Sequence, residues 1–186
     1  MSGPFLLTER LELWLPVRDD LHPLFEIISQ PETQRYLGGP PTLHDHFMRF
    51  TRNAGSWALY GYGIFIVRER GGNGTPLGNC GIFHSIRGLG ADFDDKPEAG
   101  WILREEAVGK GYAGEVMRAV LEWFDASIGG EVVCMIDPDN APSLGLAAKL
   151  GFGPLRDGQM PDGSVVKLLR RPGRDQGKAK RTEVRK

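Results

Sequence analysis

A glycine-rich junction between two apolar segments limits the possible folds of this chain more than any other feature. The run Glu98-Ala99-Gly100-Trp101-Ile102-Leu103 has the composition of a strand, and Val108-Gly109-Lys110-Gly111-Tyr112-Ala113 leads into residues with a 3-and-4 apolar spacing. The two glycines of the second run let the backbone approach an anion closely, and the free N–H groups of a first helical turn then face it. The junction therefore predicts a strand, an anion-binding turn and a helix.

The composition is that of one globular domain. The chain has 186 residues, of which 40% are hydrophobic and 25% are charged. No window approaches about 18 consecutive apolar residues, and no apolar run follows the first residues, so we expect neither a membrane span nor a signal peptide. A cytoplasmic location is the resulting expectation. Cys80 and Cys134 lie among apolar neighbours, which predicts two inert core thiols.

The charge is unevenly distributed along the chain. The formal net charge is −1, yet the segment from Arg170 to Lys186 carries eight Lys or Arg residues against two acidic ones. We expect residues 1–170 to form a single domain and residues 171–186 to form a basic, disordered tail. The tail either solubilises the chain or contacts RNA or an acidic partner.

Apolar periodicity predicts an alternation of strands and helices in the rest of the chain. Strands are expected at residues 5–15, 62–68, 77–84, 132–136 and 165–169. Helices are expected at residues 21–28, 42–57 and 142–150. The glycine-rich residues 71–76 predict a hairpin between the second and third strands, and residues 86–97 predict a loop.

Four sequence blocks occur in a fixed order along this pattern: Leu7-Thr8-Glu9-Arg10-Leu11-Glu12-Leu13, Gly100-Trp101, Gly109-x-Gly111-Tyr112-Ala113 with Glu115, and Asn140-x-x-Ser143 through Lys149-Leu150-Gly151-Phe152. Together they resemble the GNAT superfamily of acyl-CoA-dependent N-acyltransferases. The first block resembles the Rim-type branch, which acetylates protein N-termini and some small amines. The resemblance implies an α/β (α+β) fold with a mixed, largely antiparallel central sheet and helices on both faces.

The resemblance also implies how acetyl-CoA is held as a co-substrate, without a metal. Trp101, Ile102 and Leu103 would offer strand-edge amides to the pantetheine arm. The pyrophosphate would be lined by Val108, Gly109, Gly111, Tyr112 and Ala113. Lys110 is either a cation beside the phosphates or a solvated surface residue. Asn140 either contacts the pantetheine or only caps the helix that follows it.

The implied reaction is direct attack of a neutral amine on the thioester in a ternary complex, which needs a proton acceptor. Glu98 is the candidate base, because strand alternation places it on the face of Gly100 and Ile102; the alternative is a hairpin-edge carboxylate that faces water. Many superfamily members carry a Tyr where this chain has Ala147. Ser143 is the candidate donor to the leaving thiolate, with helix capping or packing as its alternative role.

Other residues are weaker candidates. The four histidines, His22, His44, His46 and His84, lack the spacing of a metal site, although His84 is a possible proton relay. The aromatic residues Trp57, Tyr60, Tyr62 and Phe65 either shape an acceptor pocket or belong to the core. The acidic residues Asp92, Asp94 and Asp95 either attract a cationic substrate or form a solvated loop.

The sequence thus predicts an N-acetyltransferase that acts on a primary amine, which is either a protein N-terminus or a small molecule such as a polyamine, amino acid or drug. A non-catalytic acyl-CoA sensor is the alternative from another class, favoured by Ala147 and by Val108, where the superfamily often has Arg or Gln. Nucleic-acid binding depends on the basic tail alone, no membrane contact is expected, and the chain is expected to be a monomer or a homodimer.

Overall fold

One mixed sheet organises the computed structural model, which describes residues 3–173. Its strands are β1 (Leu6–Leu7), β2 (Leu11–Trp14), β3 (Ile64–Glu69), β4 (Pro76–Ser85), β5 (Lys96–Leu103), β6 (Val132–Ile136), β7 (Gly153–Gln159) and β8 (Val165–Arg171). The helices are α1 (Leu21–Ile28), α2 (Pro31–Gln34), α3 (Leu43–Tyr60), α4 (Tyr112–Ser127) and α5 (Ala141–Lys149). Short 3-10 turns precede α1 and α4.

The eight strands follow the order β1-β2-β3-β4-β5-β6-β8-β7. All neighbouring strands are antiparallel except β5 and β6, which are parallel. A parallel neighbour needs a crossover connection, and the glycine turn with α4 provides it. The predicted largely antiparallel mixed sheet is therefore confirmed.

Helices cover both faces of the sheet, as predicted. On one face, the main core joins α4 and α5 to the central strands through side chains such as Met117, Phe124 and Ala147. On the other face, Leu24 and Ile27 of α1 pack against Ile66 of β3, with Phe50 of α3 beside them. Successive side chains of each central strand therefore point alternately to the face covered by α4 and to the face covered by α1 and α3.

The first predicted strand is wrong in detail, because residues 5–15 form two short antiparallel strands, with Leu6 opposite Leu13. Thr8 makes the turn between them: its backbone N–H donates to Leu11 O at 2.9 Å, and its hydroxyl oxygen accepts from Leu11 N at 3.0 Å. These local bonds replace the ladder that a continuous strand would need. Two elements were not predicted at all, the one-turn helix α2 and the polar strand β7.

The last strand extends beyond the predicted domain end at residue 170. Arg171 belongs to β8, is 8% exposed and forms an ion pair of 2.6 Å with Asp125 of α4. Its assignment to the basic tail is therefore wrong, because pairing with β6 and with Asp125 holds it in the sheet. The other predicted tail residues from 174 to 186 lie outside the described residues.

Helix α3 begins where the sequence predicts and ends three residues later. The hydroxyl of Thr42 accepts a hydrogen bond of 3.1 Å from the backbone N–H of Asp45, which caps the first turn. Gly61, with φ of 75°, ends the helix after Tyr60 in the left-handed conformation that favours glycine. The helix thus runs along the α1/α3 side of the sheet.

Candidate active site

The turn before α4 has the backbone geometry of an anion site. Gly109 and Gly111 have φ angles of 79° and 78°, which a residue with a side chain adopts only with strain. Gly111 is also the N-cap of α4 and has no side chain with which to cap the first turn. The N–H groups of that turn and the positive end of the helix dipole are therefore available to an anion.

The side chains near this turn point elsewhere or into solvent. Val108 is 62% exposed, and Lys110 is exposed as well. Tyr112 is buried, and its hydroxyl donates to Glu69 across 3.4 Å. Ala113 packs against the main core. Tyr112 and Ala113 therefore offer an anion their main chain only, whereas the ammonium of Lys110 is free to approach a phosphate.

An ion-pair network ties this turn to the start of the chain. The carboxylate of Glu115 accepts hydrogen bonds from Thr8 Oγ1 at 2.6 Å, Arg10 N at 2.9 Å and Arg10 Nε at 2.7 Å. Arg10 also donates from Nη1 to Lys110 O at 3.0 Å, and its guanidinium lies 4.7 Å from the ring centre of Tyr112. Two of the sequence blocks are thus in direct contact, and Arg10 is a site residue whose role the sequence did not reveal.

The electrostatics of Glu115 reflect this network. Burial opposes its ionisation, but the hydrogen bonds from Thr8 and Arg10 and the charge of Arg10 outweigh burial and lower the pKa of Glu115 below its usual value. The pair of Glu115 and Arg10 is therefore charged at neutral pH and fixes the position of the first turn of α4.

A split opens in the sheet beside β5. Strand β5 is paired with β4 along its whole length, whereas the only register pair between the described strands β5 and β6 is Glu98 with Val133. Trp101, Ile102 and Leu103 lie beyond that pair, so the β6-facing edge of their backbone has no partner strand. An extended arm placed in the split would find unpaired strand edge there.

Trp101 and Ser143 meet across this split. Trp101 Nε1 donates a hydrogen bond of 3.2 Å to Ser143 Oγ, which joins β5 to α5. The backbone N–H of Ser143 in turn donates to Asn140 Oδ1 at 3.1 Å. Asn140 is therefore the N-cap of α5, which agrees with the second of its two predicted roles, capping of the helix.

Ser143 provides the only hydroxyl group of α5. The side chain of Ala147, one turn later, is fully buried in the main core. Because Ser143 Oγ accepts from Trp101, its own O–H is free to donate to another acceptor near the split.

Glu98 is buried, with 3% of its surface exposed, so the interpretation as a carboxylate that faces water is wrong. Its Oε2 accepts from Arg87 Nε at 2.6 Å and from the hydroxyl of Ser85, and its Oε1 accepts from Arg87 Nη2 at 2.8 Å. Oε2 is therefore fully used, whereas Oε1 has a second acceptor position open to a further proton donor. Burial without a cation would be costly, which explains why Arg87 is beside it.

The two candidate groups lie on different sides of the sheet. Glu98 shares the α1/α3 side with Ile102, which packs beside Leu24 and Ile66. Trp101 packs against the main core on the α4 side, where it meets Ser143. The split between β5 and β6 connects these sides, so a thioester in it would have a hydroxyl donor on one side and a carboxylate on the other.

His84 does not join this group. Its Nδ1 is 3.0 Å from the hydroxyl of Tyr62, its Nε2 is 2.9 Å from Asp95 Oδ1, and its ring stacks on Tyr60 at 3.9 Å. The neighbouring residue Phe83 is opposite Glu98 in the register, so alternation turns His84 to the opposite face. The relay role is therefore not supported by the geometry.

Three of the four aromatic candidates belong to the core, whereas Tyr60 is 44% exposed. Trp57 and Phe65 have ring centres 4.7 Å apart in the main core, and Tyr62 packs edge-on against Phe124 at 5.3 Å. Burial and the nearby Tyr60 and Asp95 raise the pKa of Tyr62 to about 12. These contacts favour the packing interpretation.

The acidic loop has structural partners. Asp92 forms an ion pair with Arg156 at 2.7 Å, and Asp94 accepts from the backbone N–H of Arg87 and Gly90. Asp95 is bound to His84, as above. The carboxylates of Asp92 and Asp94 therefore hold the loop 86–95 in place beside Glu98.

Both thiols are buried and free, and burial raises the pKa of Cys80 to about 12 and that of Cys134 further. Between residues 3 and 173, no group of three or more His, Cys, Asp or Glu side chains is arranged to hold a metal ion. Within the same range, none of the helices combines the length and the apolar character needed to cross a membrane.

Comparison with known proteins agrees with this geometry. The model of the acetyltransferase (GNAT) domain matches residues 10–153. The chain belongs to the GNAT acetyltransferase family. Over 153 residues this GNAT protein is 30% identical to YkkB, an uncharacterised protein of Bacillus subtilis (strain 168), and the alignment covers 79% of this chain and 84% of YkkB. The solved structure of a Bordetella pertussis protein assigned to the GNAT family has 31% identity and a TM-score of 0.78, over 89% of this chain and 98% of that one.

Two complexes share the GNAT fold at lower identity. The aminoglycoside acetyltransferase AAC(6')-Ib with coenzyme A is 20% identical, with a TM-score of 0.69 over 87% of this chain and 94% of that one. Spermidine N-acetyltransferase of Vibrio cholerae with CoA and spermine is 15% identical, with a TM-score of 0.65 over 86% and 94%. These structures confirm the predicted fold class, while the Rim-type branch stays a prediction.

Proposed function

We propose that this GNAT protein transfers the acetyl group of acetyl-CoA to a primary amine by direct attack in a ternary complex in the cytoplasm. The position of Glu98 carries the proposal: this buried carboxylate lies where β5 leaves β6, opposite the Trp101–Ser143 contact. The open first turn of α4 supports a role for Gly109, Gly111, Tyr112 and Ala113 in binding the pyrophosphate of CoA through main-chain N–H groups. Val108 and Lys110 flank that site.

In the proposed reaction, the neutral amine nitrogen attacks the carbonyl carbon of the thioester, and a C–N bond forms. Oε1 of Glu98 receives the proton that the nitrogen loses, since Oε2 already accepts two hydrogen bonds. The C–S bond then breaks, and Ser143 Oγ donates a hydrogen bond to the leaving CoA thiolate, which takes its proton from water as Glu98 returns its own proton to water. The backbone at Trp101, Ile102 and Leu103 holds the pantetheine arm by its unpaired edge.

Two acceptor classes fit this reaction. The block from Leu7 to Leu13 supports a protein N-terminus, the acceptor that the Rim-type resemblance implies. The spermine and aminoglycoside complexes of the structural relatives support a small amine. The charges around Glu98 separate the two candidates.

The first experiment measures free CoA release from acetyl-CoA with a panel of amines: N-terminal peptides, polyamines, aminoglycosides and amino acids. We expect turnover with one class, and acetyl-CoA should raise the melting temperature because it binds the folded state. The Glu98→Gln variant should lower kcat by about 10² to 10⁴. Glu131→Gln is the matched control, because Glu131 forms an ion pair of 2.7 Å with Lys96 away from the split.

A comparison of kcat with CoA affinity separates a base from a merely structural carboxylate. If Glu98 is the base, the Glu98→Gln variant keeps its Kd for acetyl-CoA while kcat falls, because the amide has nearly the same shape and cannot accept the proton. An unchanged kcat in a folded variant that still binds acetyl-CoA would remove Glu98 from the mechanism.

A non-catalytic acyl-CoA sensor is the second candidate, and two observations favour it. Arg87 holds Glu98 through Nε and Nη2, and α5 has alanine at position 147. Thermal stabilisation by acetyl-CoA without CoA release over the whole amine panel would support the sensor and contradict the enzyme.

A further inference from the structure

A small, mostly apolar cleft with one arginine in its lining lies on the α1/α3 side of the sheet, on the same side as Glu98. Its walls are α1, the inward face of α3, and strands β3 to β5. Its polar lining comes from His46, Arg49, Asn53 and Asn79, and its floor includes Ile102 of β5. The cleft thus borders the strand that leads to the split.

Arginine side chains gather near Glu98 on this side of the sheet. The guanidinium carbon of Arg52 lies 5.5 Å from the ring centre of Phe83, and that of Arg87 lies 5.8 Å from the same ring. Phe83 is directly opposite Glu98 in the β4–β5 register. Arg49 is one turn before Arg52 and Asn53 on α3 and lines the cleft itself.

These cations outnumber the anions that pair with them. Arg87 is neutralised by Glu98. Among residues 3–173, no carboxylate lies within 4.0 Å of Arg49 or Arg52, and Arg52 has one hydrogen bond of 3.4 Å, to Asn53 Oδ1. Asp45, the carboxylate that acts on Arg49 from the same helix, accepts a hydrogen bond from the hydroxyl of Thr42.

The electrostatics point in the same direction. Partial burial, and then the positive charge of Arg87, lower the pKa of Arg49, which is half-buried. Arg52 is exposed, and the positive charges of Arg87 and Arg49 act on it against the negative charge of Glu98. A cation in such a position is less stable than in water, and an anion placed beside it removes the repulsion. Two guanidinium groups with free N–H donors are suited to carboxylate recognition.

His46 adds a buried ring nitrogen that has no hydrogen-bond partner among the described residues. It is 3% exposed, and its Nε2 lies 2.9 Å from Leu21 O, so this nitrogen carries the proton and donates. Burial lowers the pKa of His46, which keeps the ring neutral. Its Nδ1 is therefore an acceptor with no partner among the described residues. A buried acceptor of this kind is satisfied by a bound N–H or O–H group.

We infer, on the basis of the proposed acetyl transfer, that the acceptor is an amine that also carries a carboxylate, and that Arg49 and Arg52 bind this carboxylate. The amine then faces Glu98, where its proton is accepted. An acceptor with several ammonium groups and no anion is repelled by Arg49 and Arg52. The inference therefore separates this chain from the spermine-binding and aminoglycoside-binding structures that share its fold.

The carboxylate has two sources, which matched substrates distinguish. A free amino acid is compared with its amide, and a peptide with Asp as its second residue is compared with the same peptide with Asn. Spermine is the polycationic control. We expect a kcat/KM roughly ten- to a hundred-fold higher for the carboxylate member of one pair. This ratio corresponds to the free energy that hydrogen bonds to a charged group contribute.

Arginine variants test which residues bind the carboxylate. Arg52→Gln is the safer variant because Arg52 is exposed, and Arg49→Gln is the second. Both should raise KM for the carboxylate substrate roughly ten-fold or more, with little change for its amide partner. Arg170→Gln removes the same charge from an exposed position on β8 and should change neither value.

The outcomes separate the inference from the proposed function. If kcat/KM is equal for acids and amides, or if spermine is the best acceptor, the inference is overturned. The proposed acetyl transfer then stands. If no amine releases CoA, the proposed function fails, and the same matched pairs are compared by thermal stabilisation of the protein with CoA. Equal stabilisation by acid and amide then overturns the carboxylate site as well.

Discussion

Trp101 donates its indole N–H to the hydroxyl oxygen of Ser143 across 3.2 Å, and this contact joins β5 to α5 over the split in the sheet. The bond uses one acceptor position of the oxygen and directs the hydroxyl proton elsewhere. Trp101 is thus a positioning residue for Ser143, and the two should act as a unit.

We predict that Trp101→Phe lowers kcat less than Ser143→Ala does, because the hydroxyl is retained but is no longer oriented. The double variant should be no slower than Ser143→Ala alone, since both changes disrupt one interaction. Steady-state kcat with the best amine is the measurement. Trp14→Phe is the matched control, because Trp14 donates a hydrogen bond of 3.0 Å to Glu12 outside the split. Additive losses in the double variant would show that the two residues act independently.

A side chain at Gly109 or Gly111 should weaken CoA binding. The φ angles of 79° and 78° strain any other residue by about 1–3 kcal/mol, so Gly109→Ala and Gly111→Ala either destabilise the protein or shift the first-turn N–H groups. We expect a lower melting temperature and a CoA Kd raised by roughly ten-fold for a shift worth 1.4 kcal/mol. Calorimetric titration with CoA checks the second effect.

Gly55→Ala provides the control for the glycine series. Gly55 lies within α3, its φ is not positive, and an added Cβ meets no atom within 4 Å. The substitution should stabilise the helix by about 0.5–1 kcal/mol and leave CoA affinity unchanged. A loss of CoA affinity in this variant equal to that of Gly109→Ala would contradict the role of the turn.

The elements of the fold that are determined by residues close together in the sequence were predictable from it. The spacing of Val116, Met117 and Val120 predicts α4, and the glycines before it predict the turn, because both patterns are local. Strand β7 was missed because its residues, among them Arg156, Asp157 and Gly158, show no apolar alternation. It forms because β8 supplies a partner, which is a tertiary contribution.

The candidate site was predictable in its positions and less so in its electrostatics. The location of Glu98 on a strand followed from alternation, but its bidentate partner Arg87 lies eleven residues away and meets it through a loop. Arg49 and Arg52 approach from a helix before the hairpin, and no local pattern marks such contacts. The role proposed for the split came from the resemblance, whereas the charges around Glu98 required the structure.

The carboxylate of Glu115 should make a pH-dependent contribution to stability. Its folded-state pKa lies below the ordinary value of 4.5, so the contribution is complete above that value and is lost as pH falls through the folded pKa. We expect Glu115→Gln to lower the unfolding free energy by about 1–3 kcal/mol at pH 7, with a difference that narrows below pH 4.5. Denaturant titrations of both proteins over this range measure it, and a constant difference would contradict the assignment.

An ion pair between Arg171 and Asp125 holds the last strand, although the sequence analysis assigned Arg171 to the tail. Arg171 Nη1 and Nη2 donate to the two carboxylate oxygens of Asp125 at 2.9 Å and 2.6 Å, and both residues are less than 9% exposed. The hydrogen bonds that Arg171 donates to Asp125 outweigh burial and raise the pKa of Arg171. Arg171→Gln removes these bonds from a buried carboxylate, so we predict a loss of about 3–5 kcal/mol in unfolding free energy.

Arg170→Gln, one residue earlier on the exposed side of β8, should cost less than about 0.5 kcal/mol. Two truncated chains extend the comparison: one that ends at Gly173 should melt near the full-length temperature, and one that ends at Leu169 should melt many degrees lower, at roughly 2–4 °C per kcal/mol lost. Equal melting temperatures for the two truncated chains would show that the Arg171–Asp125 pair adds nothing to the fold. We expect the chain that ends at Leu169 to have the lower melting temperature, because it lacks the buried bidentate pair between β8 and α4.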